Sequence, residues 1–349
     1  MPSRLFVIGT SWNGVQSLCQ LVAQLPANFP APICIVQHVS PEGPSQLPKI
    51  LSKAGPLPAS HPHQGELLQP GCIYVAPPDQ HMLVKRGYVF LSRGPHENRA
   101  RPAVDALFRS AALSYGPAVV GVVLTGYLDD GTAGLMAVKG GGGAAVVQDP
   151  AEAPAPSMPA SALRHVRNVD HCCTLDQMTP VLVGLANDDA PPSRAAETSL
   201  LQLEDRIASG TASLEDFQDL EGRVAYCGLT CPACNSALCE LPDRGMLRFR
   251  CRAGHAFSAP SVLSAQAAVR DSELSSLYGR IREESSLAHR LLADPRYHNA
   301  AQDLTQRLDG LSHKATQLLP WTREIPALYA VPPLPQEESA APVFPGGTY

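Results

Sequence analysis

The chain has 349 residues, enough for two domains or for one domain with appended segments. Hydrophobic residues make up 44% and charged residues 17%, which supports a globular core. The formal net charge is -5 and no Lys/Arg block stands out, which argues against a nucleic-acid partner. No apolar run reaches membrane-spanning length. Residues 1–4 lead straight into a strand-like run without the layout of a signal peptide, so a cytoplasmic location is expected. Of the ten cysteines, Cys19, Cys34 and Cys72 lie in apolar segments and others cluster with metal-ligand spacing. Both patterns fit a reducing compartment better than a disulfide framework.

In chain order, Leu5–Gly9 reads as a short strand and Gly14–Leu25 has helical periodicity. Ile33–Gln37 is a second strand. Ile73–Ala76, His81–Val84 and Tyr88–Ser92 read as a small antiparallel unit, with turns at Pro77-Pro78-Asp79 and Lys85-Arg86-Gly87. Val104–Ser114 reads as a helix with Asp105 and Arg109 on its polar side. Val119–Leu124 has the length and continuous apolarity of a buried parallel strand. Ala133–Lys139 suits a helix ended by Gly140–Gly143, and Ala144–Gln148 is a further strand. The alternation predicts an α/β fold: a doubly wound, mostly parallel sheet with a small antiparallel unit, then a small C-terminal zinc-ribbon-like and helical region. The expected divisions are a catalytic domain over 1–186, a linker and acidic amphipathic segment over 187–222, and a ribbon-like unit over 223–258. A helical region over 259–320, broken near Asp294-Pro295, and a Pro-rich disordered tail over 321–349 complete the chain.

Three apolar strands end near a residue that can do chemistry: Ser11, His38 and Asp130. A serine hydroxyl needs an imidazole to take its proton, and a carboxylate fixes the tautomer of that imidazole. Ligands of an open parallel sheet bind outside the carboxyl ends of the strands, so three such ends point to one crevice. Other readings compete. Ser11 and Asp130 are both good helix N-caps, and His38 alone could be structural. A phosphate loop over residues 9–14 is disfavoured because neither G-x-G-x-x-G nor a following Gly-Lys-Ser/Thr is present.

Residues 5–186 resemble the catalytic domain of the CheB family, the chemotaxis protein-glutamate methylesterases. The likeness runs through Ile8-Gly9-Thr10-Ser11, Gln37-His38, Tyr74-Val75-Ala76-Pro77 with His81-Met82, Asn98-Arg99-Ala100-Arg101-Pro102-Ala103-Val104-Asp105, Leu124-Thr125-Gly126 through Asp130-Gly131, and Pro156-Ser157-Met158-Pro159. The resemblance implies that Ser11 is the nucleophile, His38 the base, and Asp130, not Asp129, the orienting carboxylate. It implies an oxyanion contact from the main chain of Tyr127, beside the N–H after the serine, that of Trp12. It also implies hydrolysis of glutamate γ-methyl esters on chemoreceptors with release of methanol, glutamine deamidation in some members, and no cofactor for catalysis. The partner would then be a methylated chemoreceptor or related signalling protein, with a membrane met only indirectly through it. Arg99 and Arg101 are candidates for acidic substrate helices, or else a salt-bridged loop. His81 is expected to be structural rather than to line the site.

Two departures stand out. The family has a small residue and then Gly after the serine, where this chain has Ser11-Trp12-Asn13-Gly14. Asn13 can take the left-handed conformation Gly favours, and Trp12 is placed to reshape the ester pocket. Chemotaxis members carry an N-terminal phospho-receiver domain, whereas this chain starts at the catalytic segment, so control by phosphorylation in cis is not expected.

Cys231-Pro232-Ala233-Cys234 and Cys251-Arg252-Ala253-Gly254-His255 give C-x₂-C, a spacer, then C-x₃-H. Two such pairs complete a tetrahedron, so Cys231, Cys234, Cys251 and His255 are expected to hold structural zinc, with Cys227 and Cys239 as substitute ligands. A closed four-ligand site leaves no position for catalysis. Similar units follow stand-alone CheB-type domains. The rival readings are the same triad acting on another ester or amide, and a non-catalytic signalling adaptor working through the ribbon and helices.

Overall fold

The computed structural model describes residues 4–188, 199–242 and 245–323. The linker expected at 187–200 therefore lies mostly outside the described residues, as does the tail from residue 324. The chain divides into two compact units, Met1–Leu263 and Ser264–Tyr349.

In chain order the elements begin with β1 (Leu5–Thr10), α1 (Gly14–Ala23), β2 (Ile33–Gln37), α2 (Leu47–Ala54), β3 (Ala59–Ser60) and β4 (Ile73–Val75). There follow β5 (His81–Lys85), β6 (Tyr88–Ser92), α3 (Val104–Tyr115), β7 (Val119–Val123), α4 (Thr132–Gly140) and β8 (Ala144–Gln148). Next come α5 (Ser157–His165), β9 (His171–Cys173), α6 (Leu175–Asn187), α7 (Ser199–Ala208) and α8 (Leu214–Arg223). The chain continues with β10 (Ala225–Thr230), β11 (Ala237–Glu240), β12 (Arg248–Cys251), β13 (Ala256–Ser258), α9 (Ala259–Ala293) and α10 (Ala301–Arg323).

Seven strands form one parallel sheet in the order β3-β4-β2-β1-β7-β8-β9. β1, β2 and β7 are buried along their whole length, as expected where helices cover both faces. The pleat sends Leu5 and Val7 to a core shared with Phe108 of α3, Leu135 of α4 and Met158 of α5. Phe6 and Ile8 point the other way, to Leu18 of α1, Leu51 of α2 and Met178 of α6. This is the doubly wound fold that the alternation of elements predicts. The strand order reverses between β1 and β7, and their carboxyl ends open the crevice at that switch point.

The antiparallel unit is smaller than expected. β5 and β6 form a two-stranded hairpin, but Ile73–Val75 pairs in parallel with β2 inside the main sheet. Its fully apolar Ile-Tyr-Val run fits a strand covered on both faces, which local sequence does not separate from a hairpin strand. A second correction concerns α3. Asp105 and Arg109 are buried rather than solvent-facing. Arg109 pairs with Glu97 at 2.7 Å and donates to the Glu204 carbonyl of α7 at 3.5 Å, so chain that follows the sheet covers this polar face.

The acidic segment forms α7 and α8, the latter opened by a Ser213/Asp216 capping box. Four antiparallel strands follow in the order β10-β11-β12-β13. In the second unit, the helical pattern breaks at Asp294, whose side chain accepts the Arg296 amide at 3.0 Å before α10 begins. No described helix is long and apolar enough to cross a membrane.

Candidate active site and metal cluster

Three strand ends place the three expected residues together. His38 Nδ1 lies 3.1 Å from Ser11 Oγ, and His38 Nε2 lies 2.7 Å from Asp130 Oδ2. An ionised carboxylate only accepts, so Nε2 carries the ring proton and the neutral Nδ1 is left to accept from the serine hydroxyl. The backbone locks this arrangement. The Ser11 amide donates to the Thr125 carbonyl at 3.0 Å and the His38 amide to the Thr10 carbonyl at 3.2 Å. Gln37 Nε2 donates to the Ser11 and His38 carbonyls at 2.7 and 2.8 Å, so one amide ties the nucleophile's turn to the base's turn.

Helix α1 has Asn13, not Ser11, at its N-cap, in the left-handed conformation with φ 57°. This is the conformation anticipated where relatives carry Gly. It frees Ser11 Oγ from capping and turns it toward His38. Gly126 approaches from the other side. A methyl group there would come within 2.8 Å of the Ser11 Cβ, so the loop after β7 can close on the nucleophile only without a side chain at that position.

Asp130 does cap a helix, but not the one that follows it. Its Oδ2 accepts the Val104 amide at 2.7 Å and its Oδ1 the Asp105 amide at 3.2 Å, the first two N–H groups of α3. Asp105 in turn accepts the Gly131 and Gly134 amides at 3.0 and 2.6 Å, at the start of α4. Each carboxylate thus sits on the positive end of a helix contributed by the other's neighbourhood. Burial alone would raise the Asp130 carboxyl. The hydrogen bond and charge of His38, then the Asn98 and Val104 hydrogen bonds, outweigh it and hold the group below its ordinary value. Asp105 is pushed well up, by burial first and then by the charge of Asp130.

The amides of Ser11 and Gly126 are spent, the latter on the Ala155 carbonyl at 3.0 Å. Those of Trp12 and Tyr127 meet no protein acceptor among the described residues; Trp12 directly follows Ser11, and Tyr127 directly follows Gly126, which packs against the Ser11 Cβ. Their rings pack 5.5 Å apart at 52°, and at 37% and 39% exposure they form an aromatic lip open to solvent. Arg99 is exposed. Arg101 is pinned within the fold, donating to Asp79 Oδ1 at 2.6 and 2.9 Å and to the Arg93 and Gly94 carbonyls. His81 is fully buried between the Pro95 carbonyl (2.9 Å) and the Ala103 amide (3.2 Å), and burial pushes its pKa down, a structural histidine.

The ligand atoms of Cys231, Cys234, Cys251 and His255 all lie within 4.8 Å of one another. Separations are 3.8 Å for Cys231 Sγ to His255 Nδ1, 3.6 Å for Cys251 Sγ to Nδ1 and 3.7 Å for Cys234 Sγ to Cys251 Sγ. A tetrahedral zinc with Zn–S of about 2.3 Å needs ligand edges of roughly 3.5–3.8 Å, so the four residues fit the ion. Two tight turns present them: Asn235 N–H to the Cys231 carbonyl at 2.8 Å, and Gly254 N–H to the Cys251 carbonyl at 2.9 Å. Cys227 and Cys239, expected as substitutes, stand outside this cluster; Cys227 Sγ contacts the Leu238 carbonyl at 3.2 Å on the β10–β11 ladder.

Sequence reading assigned no part to Asn98, Glu97, Glu204 or Arg250. Arg250, fully buried in β12, lies 3.1 Å from Glu97 and 2.9 Å from Glu204. Arg248 also pairs with Glu204. These contacts join residues 44 to 153 positions apart. No local pattern signals them, although Asn98 stands inside a motif already singled out.

A nucleophile–base–carboxylate set at the switch point of a doubly wound sheet defines a serine hydrolase type of site. A family model for CheB methylesterase matches residues 6–182, and the chain belongs to that family. It is 36% identical over 186 residues to a putative protein-glutamate methylesterase/protein-glutamine glutaminase of Leptospira interrogans, covering 53% of this chain and 96% of that one. A protein-glutamate methylesterase/protein-glutamine glutaminase of Myxococcus xanthus is 40% identical over 143 residues, 41% of this chain and 40% of that one. Among solved structures, the catalytic domain of the Thermotoga maritima CheB methylesterase matches with a TM-score of 0.51 at 33% identity, covering 53% of this chain and all of that one.

Proposed function

We propose that this chain is a serine esterase that removes methyl esters from glutamate side chains of chemoreceptor-like proteins, and that it also deamidates glutamine. The continuous Ser11–His38–Asp130 contact, at 3.1 and 2.7 Å, carries this reading. The names of its relatives support the substrate class. Ser11 Oγ attacks the ester carbonyl while its proton passes to His38 Nδ1, and Asp130 stabilises the imidazolium through Nε2–H. The amides of Trp12 and Tyr127 receive the oxyanion. Collapse expels methanol, which takes the proton from Nδ1, and leaves a glutamyl ester on Ser11. Water attacks next, giving its proton to His38, which passes it to Ser11 Oγ as the acyl–Oγ bond breaks and the free glutamate carboxyl leaves. With glutamine the first leaving group is ammonia.

Arg99 lies at the surface, where an acidic receptor helix would meet it; the donors of Arg101 are engaged inside the fold. The reaction needs no cofactor. Cys231, Cys234, Cys251 and His255 bind structural zinc, which would close the two turns of the ribbon. The partner is a methylated receptor's cytoplasmic part, so the protein works in the cytoplasm and meets membrane only through it. The test is methanol release from a methylated chemoreceptor cytoplasmic fragment by wild type, Ser11→Ala and His38→Ala. Release by wild type alone is expected. Equal release by all three would remove both residues from the mechanism. No release from wild type, with Ser11 still labelled by a fluorophosphonate, would assign the triad to a different ester.

A further inference from the structure

The Asn98 amide stands between the two buried carboxylates behind the triad. Its Nδ2 donates to Asp130 Oδ1 at 3.0 Å and to Asp105 Oδ2 at 2.9 Å. Both amide hydrogens are therefore committed, one to each acid. The rest of the residue is held by the ribbon. Asn98 Oδ1 accepts the Ser258 amide at 2.9 Å, and the Asn98 amide donates to the Ala256 carbonyl at 2.8 Å. Ala256 N–H returns to the His96 carbonyl at 3.2 Å, so β13 pairs with the 96–98 loop as an added edge. Asn98 sits at φ 49°, a backbone conformation that costs energy in a residue other than Gly and persists where surroundings impose it. The ribbon supplies those surroundings. Ala256 directly follows His255, and the turn from Cys251 to His255 is the hairpin that joins β12 to β13.

We propose that Asn98 is a positioning residue for the Asp130 carboxylate, and that the metal-closed Cys251–His255 turn holds Asn98 there through β13, so that metal loading of the ribbon sets the reactivity of Ser11. Direct contacts run without a gap from His255 through Ala256 and Ser258 to Asn98, Asp130, His38 and Ser11. With the metal gone, the β12–β13 turn loosens, and Asn98 loses the two ribbon contacts that fix which end of its amide faces the acids. Asp130 is then held less firmly against His38 Nε2. The nucleophile, oxyanion amides and substrate lip are left in place, so the loss falls on kcat and not on KM.

This proposal rests on the hydrolase and zinc readings above, and its test separates them. The full-length protein is prepared zinc-loaded, chelator-stripped, and as Asn98→Ala, Cys251→Ser and the double variant. Zinc content, Ser11 labelling rate with a fluorophosphonate, and kcat and KM on p-nitrophenyl acetate against pH are measured for each. Asn98→Ala is expected to lower kcat and labelling about 10- to 100-fold with KM little changed, the worth of one hydrogen bond to a buried charge. Its acidic pH limb should shift to lower pH, because a loosened Asp130 supports the imidazolium less well. Stripped protein and Cys251→Ser should show the same fall and the same shift, and the double variant no further loss. Zinc returned to stripped protein restores the rate, whereas zinc added to Asn98→Ala does not. Cys227→Ser, outside the cluster, keeps both zinc and rate. Equal labelling of loaded and stripped protein overturns the coupling, as do multiplicative losses in the double variant. Absence of bound zinc overturns the metal part. No Ser11 labelling of zinc-loaded wild type overturns the hydrolase reading, and this proposal with it. If Cys251→Ser does not fold, the zinc titration of stripped wild type decides the same question.

Discussion

Ser11 and Asp130 follow neighbouring strands of one sheet, yet they are held in different ways. Ser11 and His38 are placed by strand ends and the turns directly after them. Their anchors are main-chain bonds to adjacent strands and the Gln37 side chain, one residue from His38. Asp130 stands seven residues past the end of β7 and is held by groups outside the parallel sheet: Asn98, the start of α3 and, behind Asn98, strand β13. The nucleophile and base are placed by bonds between neighbouring strand ends of the sheet, while the carboxylate is placed by elements packed beyond it. Damage far from the crevice should therefore reach the site from the Asp130 side.

The largest effect should come from the chemistry itself. Ser11→Ala and Asp130→Asn are each expected to lower ester hydrolysis roughly 10⁴-fold or more, measured as kcat/KM. Ser11→Ala should leave the thermal midpoint near wild type, since Oγ caps no helix. Asp130→Asn should lower it as well, because the carboxylate accepts the first amides of α3. Equal stability of the two variants would break the contrast just drawn.

Next in size is the buried ion cluster that seats the ribbon. Burial would raise the Glu97 and Glu204 carboxyls, but the charges of Arg109, Arg250 and Arg248 hold them low, Glu204 at about 2. Replacing Arg250 by Leu leaves part of that negative charge uncompensated and should cost about 3–5 kcal/mol in urea unfolding. Both carboxyls are depressed in the folded state. Their stabilisation is present above the unfolded value near 4.5 and is lost as pH falls through the folded value. Acid should accordingly loosen the ribbon at pH near 2–3, and the loss should be smaller in Arg250→Leu, where Arg109 and Arg248 still pair with the two carboxyls, as followed by amide exchange of β12.

Asp129 provides a sharper comparison, since it neighbours Asp130 with the opposite balance. Burial raises it to about 6, against the lowering effect of the Ser258 hydroxyl at 2.6 Å, with the Asp130 charge adding to the rise. Above pH 6 it is ionised folded and unfolded, and the fold bears the burial penalty. Below the ordinary value of 3.8 it is protonated in both states and the penalty vanishes. Asp129→Asn should thus stabilise the protein by about 2–3 kcal/mol at pH 8 and by almost nothing below pH 4, read from unfolding curves at both pH values. Stabilisation that is independent of pH would remove the titration argument.

The smallest effect is expected at the lip. Trp12→Ala removes one aromatic contact with Tyr127, worth about 0.5–1.5 kcal/mol, so kcat/KM should change by less than about tenfold, mostly through KM. A fall in kcat of a hundredfold would show that the Trp12 ring also supports its own amide as an oxyanion donor.

Much of this protein is readable along the chain. The apolar runs at residues 5–9, 33–36 and 119–124 are strands because strands covered on both faces read as nearly continuous apolar runs. The short distance from those runs to Ser11 and His38 made the first two members of the site legible, and pairwise Cys/His spacing did the same for the clustering of Cys231, Cys234, Cys251 and His255. The left-handed turn at Asn13 is legible from the Gly that the resembled family carries there together with the tolerance of Asn for that conformation. Where such local rules ended, the reading ended too. The sequence groups Ile73–Ala76 with the antiparallel unit, because a short apolar run does not reveal which strand it will pair with. Helical periodicity puts Asp105 and Arg109 on the polar side of α3 but cannot reveal that α7 covers that face and buries them. The Asn98 clamp and the Glu97–Arg250–Glu204 cluster join residues from 32 to 153 positions apart, through charges and amides whose worth arises only once water is excluded. The sequence by itself determined the strands, the turns and the chemistry at their ends. Tertiary packing alone decided which buried groups face one another, because that depends on distance in space and on the dielectric the folded chain creates.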